Sequence, residues 1–138
     1  MSQIEASQFK ERFVSLIMGG QGFPKKHLDR HILFISAALG LQPQRQYTES
    51  ELNEELRTWA ARFGSSVNLD HVSLRRYLVD EGYLRRDSAG KSYELATTGW
   101  PYTFDLSIQT LDLEALIDEA RAARELRKQQ YMGKSSSL

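Results

Sequence analysis

The stretch "DHVSLRRYLVDEGYLRRDSAGKSYEL", residues 70–95, decides how the rest of the chain is read. Its first part places Leu74 and Leu78 four apart, on one face of a helix, and ends at Gly82, the residue type that most readily takes the left-handed conformation closing a helix. Its second part, "YLRRD" and "KSYEL", offers two short strands joined by the polar turn "SAG". A short helix running into a hairpin is how a winged helix-turn-helix ends, and that fold requires two more helices upstream.

Both are present. In "KKHLDRHILFISAALG" the residues Leu28, Ile32, Ile35 and Leu39 form a stripe that Phe34 and Ala38 widen, with Gly40 as the expected stop. In "TESELNEELRTWAARFG" Thr48 and Glu51 have the spacing of a capping box, and Leu52, Leu56, Trp59 and Phe63 follow on one face. "LQPQRQY" and "GSSVNLD" read as the intervening loops. The predicted core is the three stripes, closed by Leu84 and Tyr93 of the hairpin.

Further out, Ala6, Phe9, Phe13, Leu16 and Ile17 predict an N-terminal helix that stops at Gly19 and Gly20, and "GGQGFPKK" reads as a hinge. Residues 96–110 contain Trp100, Pro101, Tyr102 and Phe104, too apolar for a solvated linker, and are expected to pack back on the domain. A last helix, about Leu111 to Met132, carries Leu113, Leu116, Ile117, Ala120 and Tyr131 on one side, and "GKSSSL" is expected to be disordered. The predicted fold is mainly α with a small β-hairpin: a winged helix-turn-helix-like core at residues 23–95, an N-terminal helix and hinge at 1–22, and a connector, long helix and tail at 96–138.

The chain has 138 residues and no cysteine, so disulfides, thiolate metal sites and thiol nucleophiles are excluded. No apolar run approaches the ~18 residues of a membrane span, and "MSQIEASQFKERF" lacks the order of a secretory signal, so a cytoplasmic location is expected. Eighteen basic residues balance eighteen acidic ones, and only their distribution is informative. Residues 1–46 hold six bases against three acids, whereas 105–120 hold five acids and no base.

Residues 23–95 resemble a bacterial domain family of unknown function that occurs alone or fused behind winged-helix repressors of the arsenical-resistance type. The residues that carry the resemblance are "FPKK" (23–26), "YTESELNEEL" (47–56) and "DHVSLRRYLVDEGYLRRD" (70–87). The resemblance implies a winged-helix-like fold and a link to transcriptional regulation.

On that fold the helix from Asp70 to Glu81 is the candidate recognition helix. A helical projection turns Leu74 and Leu78 inward, and Ser73, Arg76, Tyr77 and Asp80 outward, so Ser73, Arg76 and Tyr77 are the expected base-edge contacts and Arg76 the foremost. Arg75, Arg85, Arg86, Lys91, Lys25 and Lys26 are the expected phosphate contacts of a double-stranded DNA partner. Against this, bases and acids are equal in number over residues 68–95, and Arg76 and Asp80 are spaced to pair on a solvated face. The alternative is a protein–protein interaction module, with the last helix serving a partner or a second copy.

No enzyme is expected. His27 and His31 are four apart, as metal ligands on a helix are, but "HLDRH" has Leu28 where the zinc hydrolase motif has glutamate. A third ligand from His71 is not fixed by anything in the sequence. Neither a metal site nor a cofactor is therefore assigned. "GGQGFPKK" lacks the spacing of a phosphate-binding loop, and the carboxylates of "ESELNEEL" read as a solvated face.

Overall fold

The computed structural model describes residues 3–136, with side chains through Met132. Among the described residues, five α-helices and a small sheet make a mainly α fold: α1 (Ala6–Gly19), α2 (His27–Ala38), α3 (Glu49–Phe63), α4 (His71–Asp80) and α5 (Leu113–Ser136). The strands are β1 (Gln3–Ile4), β2 (Gln46–Thr48), β3 (Leu84–Arg86), β4 (Ser92–Leu95) and β5 (Thr103–Phe104). No helix among the described residues is long and apolar enough to cross a membrane.

Local chemistry accounts for the helix ends. At α3 the Thr48 hydroxyl accepts from the Glu51 amide at 3.1 Å and the Glu51 carboxylate accepts from the Thr48 amide at 2.9 Å, the expected capping box. At α4 the Asp70 carboxylate accepts from the Ser73 amide at 2.7 Å. Gly82 takes φ 88°, so the Tyr83 amide reaches back to the Leu78 carbonyl at 2.8 Å and closes the helix.

The hairpin β3–β4 forms in the expected place, but a third strand joins it. β2 pairs antiparallel with β4, placing Tyr47 opposite Tyr93, and the sheet order is β2-β4-β3. The loop expected over Gln46 and Tyr47 is therefore a strand, and its three residues are too few to show an alternation in the sequence. Tyr47 is nevertheless buried between exposed Gln46 and Thr48, and its hydroxyl accepts from the Gln42 amide at 2.8 Å.

The core is one cluster that takes in Phe9, Phe13 and Ile17 of α1 as well as the three central helices. The segment read as a hinge is anchored at its middle: the Gly22 amide donates to the Ser66 carbonyl, and Phe23 packs against Phe34 and Tyr77. α1 lies on α2, and Arg12 grips the buried Asp29 with two bonds of 3.0 Å. α2 sits at the centre, buried without interruption from His31 to Ala38. A helix covered on every side loses the one-faced stripe, and "ILFISAA" already has too few polar residues for a solvated face.

Residues 96–110 pack back as expected. Trp100 donates to the Ala96 carbonyl at 2.8 Å and meets Tyr83 edge-on, while β5 pairs in parallel with β1. α5 continues to Ser136, so part of the tail expected to be disordered is helical; Ser137 and Leu138 lie outside the described residues. Its first half rests on α1 through buried Ile117, and every described side chain from Arg121 to Met132 is exposed.

Candidate functional site

Two groups of side chains stand out: the exposed basic residues of α4 and the hairpin, and a histidine–tyrosine cluster between α2 and the end of α4.

α4 packs its inner face, Leu74 and Leu78, on α3, α2 and β3. Its outer face bears exposed Val72, Arg76 and Asp80 and half-buried Ser73. Arg76 takes part in none of the ion pairs among the described residues, so the pairing with Asp80 that the spacing allowed is not made.

Two expected contact residues are engaged within the fold. Tyr77 does not face out: its ring stacks between Phe23 at 5.2 Å and Phe34 at 5.1 Å. The projection failed because it treats the helix alone, whereas the segment ahead of α2 folds over this flank. Arg75 is held down on α3, donating to the Asn53 side chain at 2.6 Å with the Glu49 carboxylate at 3.4 Å. Phe23 meets Tyr77 of α4, and Lys25 and Lys26, two and three residues further along the chain, are exposed.

On the hairpin, Arg85 stands opposite Glu94 and reaches Thr98 at 3.4 Å, while Arg86 lies over the Tyr93 ring at 5.9 Å. Their neighbouring positions send them to opposite faces of the strand. Lys91 is exposed in the turn, where the Asp87 carboxylate accepts from its backbone amide at 2.7 Å. That bond, with others from Ser92 and Gly90, holds the Asp87 carboxyl below its ordinary range. The exposed cations of this region are thus Arg76, Lys91, Lys25 and Lys26, with Arg85 and Arg86 on opposite faces of β3, Arg75 already engaged and Tyr77 half-buried against the core.

The second group begins with His27 and His31, one turn apart on α2, their rings 4.3 Å apart. His31 is 1% exposed. Its Nδ1 lies 2.6 Å from the Tyr83 hydroxyl and its Nε2 3.5 Å from the Glu81 carboxylate. His27 is exposed, and its Nδ1 lies 2.7 Å from the Tyr102 hydroxyl. Burial, reinforced by His27 and Arg30, drives the His31 pKa down to about 4, so its ring is neutral near pH 7. Burial, together with Glu81 and Tyr102, pushes the Tyr83 hydroxyl above its ordinary range.

Sequence reasoning found the His27–His31 spacing and missed the rest. His71, considered as a third member, is not in the cluster; Glu81 is. Glu81 and Tyr83 flank Gly82, and the left-handed turn there brings both to His31. The capping role of Gly82 was visible in the sequence, but the helix it would face was not.

No curated protein and no solved structure matches the chain. A family model described as an uncharacterized protein conserved in bacteria, DUF2087, matches residues 21–95, from just before Phe23 to the end of β4 and more than half of the chain. The chain belongs to this bacterial family.

Proposed function

We propose that the protein is a non-catalytic DNA-binding module of transcriptional regulation, built on a winged helix in which α4 is the recognition helix and β3–β4 the wing. The observation that carries the reading is the outer face of α4, with Arg76 exposed and outside every ion pair among the described residues. Support also comes from the element order α2-β2-α3-α4-β3-β4 and the sheet order β2-β4-β3, which is the succession of helices and hairpin that a winged helix requires.

In this reading α4 enters the major groove, Arg76 reads a guanine edge, and Ser73 supports the approach from the first turn. Lys25 and Lys26 beside the helix, and Lys91 with one of Arg85 and Arg86 on the wing, engage phosphates. A site of about three or four phosphate contacts gives a log–log salt slope near −3. Anisotropy of a fluorescent random-sequence duplex, titrated at two salt concentrations, tests this. Binding with that slope is expected, and no binding at low salt overturns the proposal.

A second reading, a protein-interaction module, is favoured by one observation: Leu126 and Met132 are 55% and 60% exposed on the outer half of α5. The solution mass, measured in parallel, and the same titration separate the two. A protein that self-associates and ignores DNA supports the second.

A further inference from the structure

We propose that His27, His31 and Glu81 form a binding site for a divalent transition-metal ion of the zinc class, with Tyr83 and Tyr102 orienting the two imidazoles. One ligand atom from each of the three residues lies within 4.8 Å of the other two. The inference is independent of DNA binding, since none of the three belongs to the cationic surface.

Three features carry it. The first is the separation of His31 Nε2 from the Glu81 carboxylate, 3.5 Å. A charge-assisted hydrogen bond would draw the two to about 2.7–2.9 Å. Two ligands of a tetrahedral zinc ion, each about 2.0–2.2 Å from the metal, stand about 3.4 Å apart. The pair is spaced as the edge of a coordination shell.

The second feature is the partner of each ring. Metal-bound histidines donate their other ring N–H to an acceptor, which fixes the tautomer and the ring plane. Here both Nδ1 atoms meet tyrosine hydroxyls, at 2.6 Å for His31 and 2.7 Å for His27. With Nδ1–H donating to the tyrosine, Nε2 of each ring carries the lone pair. In the absence of a cation, that tautomer sets the His31 lone pair against the Glu81 carboxylate. A cation between them turns this repulsion into two bonds.

The third feature is access. His31 is at the floor of the cluster, while His27 is exposed and the Glu81 side chain is 39% exposed. An ion can enter from solvent and keep a water or another small ligand in the fourth position. The two imidazoles select against magnesium and calcium, which prefer all-oxygen shells.

The test titrates the full chain, purified without tags and stripped by chelator, with Zn2+ and separately with Co2+. One equivalent of Co2+ is expected to give the intense visible absorption of a tetrahedral site, displaced by Zn2+ and untouched by excess Mg2+. His27→Ala and Glu81→Gln alter side chains outside the core, and each is expected to abolish the absorption while the circular dichroism stays that of the wild type. Tyr102→Phe is expected to weaken Zn2+ binding about 10–100-fold, the usual effect of losing an orienting partner. Absence of stoichiometric binding by the wild type, or binding that His27→Ala and Glu81→Gln leave unchanged, overturns the site.

Discussion

The cationic surface and the histidine–tyrosine cluster use similar numbers of polar groups in opposite ways. On the surface, Arg76, Lys25, Lys26 and Lys91 are held by little beyond their own backbone, so each is free to meet a partner and contributes little to stability. In the cluster, His31 and Tyr83 are almost fully buried, and their mutual bond satisfies groups that water no longer reaches. Damage to the first should change binding and leave the fold intact. Damage to the buried pair of the second, His31 and Tyr83, should change the fold before anything else.

The contrast breaks most visibly at Tyr83. Tyr83→Ala empties a fully buried aromatic site and is expected to lower unfolding free energy by about 3–5 kcal/mol. Tyr83→Phe keeps the ring but leaves His31 Nδ1 buried without its partner, for about 1–3 kcal/mol. Urea denaturation measures both, and an unchanged stability in Tyr83→Phe would mean that the hydroxyl contributes nothing.

Acid should act on the cluster next. Unfolded, His31 titrates near 6.5, but folded only near 4, mainly because burial penalises the imidazolium and secondarily because His27 and Arg30 repel it. The nearby Glu81 carboxylate favours the charged ring but does not outweigh burial. The unfolded chain therefore binds the proton first, and stability present above pH 6.5 is lost as pH falls toward 4, by about 3 kcal/mol in all. Metal-free wild type should show this slope in denaturation midpoints across that window, and His31→Gln should lack it.

The surface residues give the smaller effects and divide among themselves. Arg75→Ala removes the bond to Asn53 and is expected to destabilise by about 1 kcal/mol while leaving the salt dependence of DNA binding unchanged. Lys91→Ala should do the reverse, with stability unchanged and a salt slope reduced by about 1. Arg76→Ala should alter stability by less than about 0.5 kcal/mol and flatten the preference among duplex sequences rather than weaken all of them alike.

The same contrast explains what could be read from the sequence. Features settled by neighbours along the chain were legible: the Thr48–Glu51 capping box, the Asp70 cap, the Gly82 stop, and Leu74 and Leu78 turned inward. So were the exposed bases, because a helix or hairpin presents its polar positions wherever nothing covers them. What distant segments decide was not legible. Phe23 folds over Tyr77, β2 pairs with β4 across 46 residues, and α1 shares the core beyond an apparent hinge. The cluster belongs to this second kind. His27 and His31 announced their spacing, but Glu81 lies fifty residues on and joins them only because α2 is the central helix. A glutamate beside a helix-closing glycine carries no mark of that role.

The central claim, that α4 and the β3–β4 hairpin are a DNA-reading surface, is tested most directly by recording amide NMR spectra during titration with duplex DNA. The account predicts shifts concentrated in residues 71–80 and 84–95, with Lys25 and Lys26 following and α5 unmoved. Shifts confined to α5, or none at a salt concentration low enough to favour phosphate contacts, would contradict it.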